Sequence, residues 1–284
     1  MTALVQGPVH AMAQAGTPAG ATASPGPHPP RSHSLHATAR ITAVADAGAT
    51  RCTVLHGDGP FDPRRLRPRG GRARVCVLGA MSAPHNGDRL RIEVVVGPGA
   101  DLEIITAAAT IALPGPTPAP ATWDLIISVA DDACLHWLPE PLISTAGSDL
   151  LQSTHIDLAP SARLLLTERQ ILGRAHEPPG NLTSRLTLRR DGHTLLDQQT
   201  DYGPSAPCWD GPAVLAGYRI IGQALLIDPE LDDSMPHTQI LSDSPDNGHA
   251  VVTALPGPGR LLTAVAPDAR VLHRHLHTVL RRYV

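Results

Sequence analysis

The residues with the clearest metal-binding spacing lie near the C-terminus, where His273, His275 and His277 form His-Arg-His-Leu-His. On a helix, His273 and His277 share one face at i, i+4, a spacing suited to a metal, while His275 points elsewhere. Two imidazoles without a third ligand make an incomplete site, and solvated surface histidines are the plainer reading. Glycoside hydrolysis needs two carboxylates roughly 5–10 Å apart across a sugar. The glutamates Glu93, Glu103, Glu140, Glu168, Glu177 and Glu230 have no spacing that forces a pair together. Arg64, Arg65, Arg67, Arg69, Arg72 and Arg74 form a basic run rich in Gly and Pro. It reads as a solvated loop, with docking onto an acidic protein as the functional alternative. Cys52, Cys76, Cys134 and Cys208 lie far apart with no CxxC, and read as isolated buried thiols in a reducing cytoplasm. All 23 Lys-or-Arg side chains are Arg, which excludes Schiff-base chemistry and a Walker A lysine.

These residues must be placed by a chain of 284 residues, 42% hydrophobic and 17% charged, with a formal net charge of −3. A near-neutral charge and few aromatic rings argue against a nucleic-acid binder, which needs a basic footprint and stacking platforms. No run approaches the length and apolarity of a membrane span. Residues 1–37 are mostly Ala, Gly, Pro, Ser, Thr and His, with Arg31 the single charge. They lack the charged start and apolar stretch of a signal peptide and read as a disordered extension, with His10, His28, His33 and His36 solvated. Residues 38–284 then form a single domain, and the expected location is cytoplasmic.

Four segments in that domain share one pattern, a strand-like run, a polar turn of about five residues, and a second run. They are residues 91–106, 124–139, 154–168 and 184–198, and aligning Leu102, Leu135, Leu164 and Leu195 gives spacings of 33, 29 and 31. Within the runs apolar and polar residues alternate, as in Arg185-Leu186-Thr187-Leu188-Arg189, so each unit has one apolar face too small to stand alone. Stacking the units buries those faces, and the pattern predicts a mostly all-β, elongated array of stacked β-hairpins or a β-helix-like coil. A two-sheet sandwich also satisfies the alternation. The aliphatic composition suits thin stacked layers, since only seven residues (Phe61, Trp123, Trp137, Trp209, Tyr202, Tyr218 and Tyr283) are aromatic. Leu272, Leu276, Val279 and Leu280 recur at helical spacing behind Asp268, a candidate N-cap, and predict a short C-terminal α-helix. No catalytic constellation stands out, so a binding or assembly factor is favoured over a carbohydrate-active enzyme on a β-helix or a purely structural β array.

On these units the sequence resembles the urease accessory protein family UreD, also called UreH, and especially its actinobacterial branch. The resemblance is carried by Met81-Ser-Ala-Pro-His-Asn-Gly-Asp-Arg-Leu-Arg91, Val96-Gly-Pro-Gly-Ala-Asp-Leu102 and Thr106-Ala-Ala-Ala-Thr110. Further along it rests on Trp137-Leu-Pro-Glu-Pro141, Asp157-Leu-Ala-Pro-Ser-Ala-Arg-Leu-Leu165, Glu168 to Arg174, and Trp209-Asp-Gly-Pro-Ala213. It implies a β-helix-like fold and a non-enzymatic metallochaperone scaffold. Such a scaffold binds apo-urease, UreF and UreG, and supports nickel insertion while UreG hydrolyses GTP. Nickel is then in transit through the interior, with none tightly bound. The resemblance singles out Asp88, in the family's Gly-Gly-Asp motif, and Glu168, before Leu-Gly-Arg, as nickel-path carboxylates. Hydrogen-bonded structural carboxylates are the alternative for both. The sequence departs from the longer members at Asn86-Gly87, where they have Gly-Gly, and at Ile111-Ala-Leu-Pro after Thr110.

Overall fold

The computed structural model describes residues 34–231 and 238–280. The extension read over residues 1–37, with His10, His28 and His33, falls outside the described residues up to position 33; the first strand begins at His36, whose side chain is exposed. Two hairpins open the fold: β1 (His36–Asp46) with β2 (Ala49–His56), and β3 (Phe61–Arg69) with β4 (Arg72–Gly79). The middle of the chain alternates between two facing sheets. Its strands are β5 (Arg89–Val96), β6 (Asp101–Thr106), β7 (Thr110–Ala112), β8 (Ala121–Val129), β9 (Cys134–Leu138), β10 (Leu142–Ser144), β11 (Asp149–Leu158), β12 (Arg163–Leu172) and β13 (Asn181–Arg190). The closing elements are β14 (His193–Tyr202), β15 (Ile220–Ile227), β16 (Thr238–Ser244), β17 (Gly248–Ala254), β18 (Gly259–Ala266) and α1 (Ala269–Leu280).

One sheet runs β14-β13-β11-β8-β5-β1-β2 and the other β16-β17-β18-β15-β12-β9-β6-β4-β3, with β7 and β10 paired beside β12. The two strands of each of the first three repeat units therefore lie in opposite sheets, and each pairs in parallel with the same strand of the next of these units. This is the β-helix-like form of the expected array. Its reason is visible in the ladders, where like residues stack: Leu102, Leu135 and Leu164 in one sheet, and Ile41, Val94, Ile127, Ile156 and Leu188 in the other. All eight are buried, and they form the spine of the core between the sheets.

The sheet-to-sheet corners are built the same way in the first three units. Ala100 N–H donates to Gly97 O at 3.1 Å, Ala133 to Ala130 at 3.2 Å and Ala162 to Ala159 at 3.1 Å. Cys134 N–H and Arg163 N–H then reach back to Ala100 O and Ala133 O, each at 2.8 Å, tying one corner onto the next. Ala100, Ala133 and Ala162 are buried between the stacked corners, where close packing favours a small side chain.

The fourth unit departs from the expected stacking. Asp191 and Gly192 both have positive φ, 50° and 74°, and close a two-residue turn of the kind that returns a strand to its own sheet. β13 and β14 are thus a hairpin, and Leu195 does not join the ladder of Leu102, Leu135 and Leu164. The basic run also proves to be strand rather than loop. Its alternation around Pro63, Leu66 and Val75 forms the β3–β4 hairpin at one edge, where charged and proline residues discourage pairing with another chain.

α1 begins where expected. Asp268 Oδ1 accepts the N–H groups of Arg270 and Val271 at 2.7 and 2.8 Å, and these bonds hold its carboxyl below the usual carboxylate range. Leu272 and Leu276 are buried against β15 and β18, with Gly222 leaving room for Leu272. The side chains of Val279 and Leu280 lie outside the described ones.

Candidate functional site

Four of the sequence segments that carry the resemblance, far apart along the chain, come together around one cavity of about 480 Å³ between the sheets. Met81 to Ala83, then Thr106 and Ala108 to Thr110, then Trp137, Pro139 and Glu140, and finally Glu168, Arg169 and Arg174 line it. The parallel coil explains the convergence, because the strand ends after β4, β6, β9 and β12 lie side by side at one corner. The opposite corner carries the other two repeat-unit motifs, Val96–Leu102 and Asp157–Leu165, whose role is the small-residue stack described above. Trp209-Asp-Gly-Pro-Ala213 lies in a separate turn beside the cluster of Tyr202 and Leu215.

The cavity walls are mostly apolar. Phe61 packs edge-on against Trp123, with ring centroids 5.2 Å apart, and Ile92, Leu125, Val77 and Trp137 also line it. Met81 and Ile111 are exposed on it, 53% and 38%, so the departure Ile111-Ala-Leu-Pro puts an apolar residue on the lining. Arg169 is tied to Pro139 O and to Glu140 at 3.5 Å, and Arg174 to Glu177 at 2.7 Å.

Glu168 is the buried acid of this cavity. It occupies an inward position of β12, continuing the alternation of Leu164 and Leu166. Its Oε1 accepts the Thr154 hydroxyl at 2.8 Å from the facing sheet, and the Gln152 carboxamide N–H at 3.4 Å. No cationic side chain pairs with it among the described residues. Burial pushes its carboxyl up, and the Thr154 bond offsets this only in part.

Beside it runs a polar seam. Gln223 pairs in register with Glu168, and Gln198 Nε2 donates to Gln223 Oε1 at 2.6 Å, again crossing from one sheet to the other. Ser184 and Thr200 continue the inward polar positions on β13 and β14. Sequence reasoning missed Gln152, Thr154, Gln198 and Gln223. The available signal was a polar residue at an inward position of the alternation, as in Leu150-Leu-Gln152-Ser-Thr154-His-Ile156.

Asp88 lies elsewhere and does not line the cavity. It is buried at the start of β5, where its two oxygens accept Leu35 N–H at 2.9 Å and His85 N–H at 2.8 Å. The neighbouring departure from the family pattern has a structural effect as well. Asn86 accepts Asp149 N–H at 2.8 Å and donates to Gly147 O at 3.2 Å, bracing a turn 61 residues away. The structure therefore separates Asp88 from Glu168.

The other candidates are placed as follows. The rings of His273 and His277 stack at 5.7 Å, and His275 bonds Asn247 O at 2.7 Å. Among the described residues no group of three or more His, Cys, Asp or Glu stands close enough to share a metal ion. Of the basic run, Arg64 pairs with Asp62, Arg65 bonds Cys52 O, Arg72 pairs with Asp101 and Arg74 with Glu103, while Arg67 and Arg69 are exposed. Burial and the Arg72 guanidinium push His136 down to about 4, so it stays a neutral acceptor for Arg72 at 2.9 Å. Cys52 and Cys76 are buried thiols, but Cys208 is exposed.

Residues 35–284 match the family model described as UreD urease accessory protein. The chain is 54% identical over 248 residues to urease accessory protein UreD 2 of Saccharopolyspora erythraea, covering 87% of each chain. It is 52% identical over 253 residues to urease accessory protein UreD 3 of Streptomyces griseus, covering 87% of this chain and 96% of the relative. Against urease accessory protein UreD of Streptomyces coelicolor the identity is 49% over 248 residues, with the same coverage.

Proposed function

The chain belongs to the UreD urease accessory protein family, and from that premise we propose that it is a non-catalytic scaffold that hands nickel to apo-urease in the cytoplasm. On this reading it binds apo-urease together with UreF and UreG, and UreG supplies the GTP hydrolysis. The observation that carries the reading is the convergence of four distant motifs on one cavity whose buried acid, Glu168, lacks a counter-charge among the described residues. Glu140 and the two arginines on the lining are engaged in ion pairs, and the one buried carboxylate, followed by neutral amides and hydroxyls, suits a cation in passage. Oxygen donors bind Ni²⁺ less tightly than imidazole or thiolate, so the ion is released rather than stored. The donor set fits that use, since the seam offers carboxylate, carboxamide and hydroxyl oxygens but no cluster of nitrogen or sulfur ligands among the described residues. The missing lysine agrees with nucleotide chemistry residing in a partner.

Deletion of the gene in a urease-positive host, followed by metal analysis of the purified urease, tests the proposal. The expected result is assembled urease with little nickel, restored by supplying the gene in trans. Fully nickel-loaded urease from the deletion strain would contradict it.

A further inference from the structure

Glu168 has hydrogen-bond donors but no cationic partner among the described residues, and a neighbouring group at its end of the cavity is left unsatisfied. Gln152 reaches toward it from β11 in the opposite sheet and directs Nε2 at Glu168 Oε1 across 3.4 Å, a long contact. In that orientation the Gln152 Oε1 atom is buried with no donor among the described residues. A buried carbonyl oxygen without a partner is unfavourable, and native folds seldom leave one. Half a turn of the carboxamide exchanges its oxygen and nitrogen, a choice that the surrounding hydrogen bonds decide. The turned group sets Oε1 against the carboxylate oxygen, where two acceptors repel. Neither orientation satisfies both oxygens from the protein alone. A cation between the two side chains does, because it draws both oxygens toward itself.

We propose that Gln152 is the second protein ligand of the cation held at Glu168, its carboxamide oxygen joining the carboxylate from the facing sheet. The inference rests on the reading that nickel passes Glu168. One carboxylate and one neutral amide oxygen give the pair a single negative charge, which attracts a divalent cation without trapping it. Thr154, whose hydroxyl bonds Glu168 Oε1 at 2.8 Å, fixes the direction of the carboxylate and is a positioning residue. Because Gln152 and Glu168 belong to different sheets, the ligand pair also depends on the spacing between the sheets.

The test is nickel binding by the purified full-length chain, measured by equilibrium dialysis, with circular dichroism and thermal melting as fold controls. Gln152→Leu should weaken nickel binding about tenfold, and Gln152→Glu, which adds a second carboxylate, should tighten it by a similar factor. Glu168→Gln should abolish saturable binding at this site. If Glu168→Gln loses the site while both Gln152 variants bind like the parent, the inference is overturned and the reading of Glu168 stands. If Glu168→Gln binds nickel like the parent, the reading and the inference fall together. Should Gln152→Leu not fold, unchanged or weaker affinity in Gln152→Glu overturns the inference.

Discussion

Gly203→Ala and Gly180→Ala should each cost about 4 kcal/mol or more and deplete the soluble chain. The two glycines meet at the end of the coil, where Pro178-Pro179-Gly180 leads into β13 and Gly203 follows β14. A Cβ at Gly203 would lie 2.1 Å from Gly180 O, and the backbone there has φ +102°, which L side chains rarely adopt. At Gly180 a Cβ would lie 2.2 Å from Ser148 Oγ and 2.3 Å from Thr145 O. Backbone atoms of neighbouring turns cannot move aside without breaking Asn181 N–H to Ser148 O and Gly180 N–H to Ser144 O. Gly192 is the control. Its φ is also positive, at +74°, but a Cβ there would meet nothing within 4 Å, so Gly192→Ala should cost only about 1 kcal/mol. Urea denaturation of the three variants decides the matter, and a loss in Gly192→Ala as large as in Gly203→Ala would show that φ rather than close approach governs these turns.

The second large effect separates the two carboxylates that the family resemblance singles out. Asp88→Ala should lower stability by about 2–4 kcal/mol, because Leu35 N–H and His85 N–H lose a charged acceptor. Asp88→Asn keeps one acceptor oxygen and should lose about half as much. Glu168→Gln should do the opposite. Glutamine still accepts the Thr154 hydroxyl and removes a buried acid that has no cationic partner among the described residues. The pH dependence has a fixed sign. The Glu168 carboxyl is raised above its ordinary value of 4.5, so across the interval above that value the folded chain holds a proton that the unfolded chain has released. Glu168 therefore stabilises the parent less and less as pH rises through that interval. The melting temperature of Glu168→Gln should match the parent near pH 4 and exceed it near pH 8. A variant that is less stable than the parent at pH 8 would contradict this account.

How far the sequence foretold these features depends on what local pattern encodes. The coil was legible because strand alternation and the spacing of Leu102, Leu135 and Leu164 are direct images of stacked rungs. Leu195 misled because alternation is the same in a hairpin as in a sheet-to-sheet arc. The difference resides in the turn, where Asp191-Gly192 closes in two residues and Ala130 to Ala133 takes four. The β3–β4 hairpin was hidden under its arginines, because an exposed edge strand needs few apolar residues. Glu168 was identifiable only through the resemblance, and composition gave no hint that it faces Thr154 and Gln152 from another sheet. That juxtaposition joins residues 14 and 16 positions apart across the corner after Leu158, and only the path of the chain reveals it. Asp88 shows the converse, a motif residue whose two oxygens are both engaged by backbone N–H groups at a strand start.

The central claim is that Glu168 lies on the route by which nickel reaches urease. Its most direct test is the nickel content of urease purified from a host in which the native gene is replaced by Glu168→Gln, at matched levels of soluble chain. The account predicts urease carrying about one-tenth of the parental nickel or less, with the variant still co-purifying with apo-urease. Urease loaded to the parental level in the presence of Glu168→Gln would contradict it.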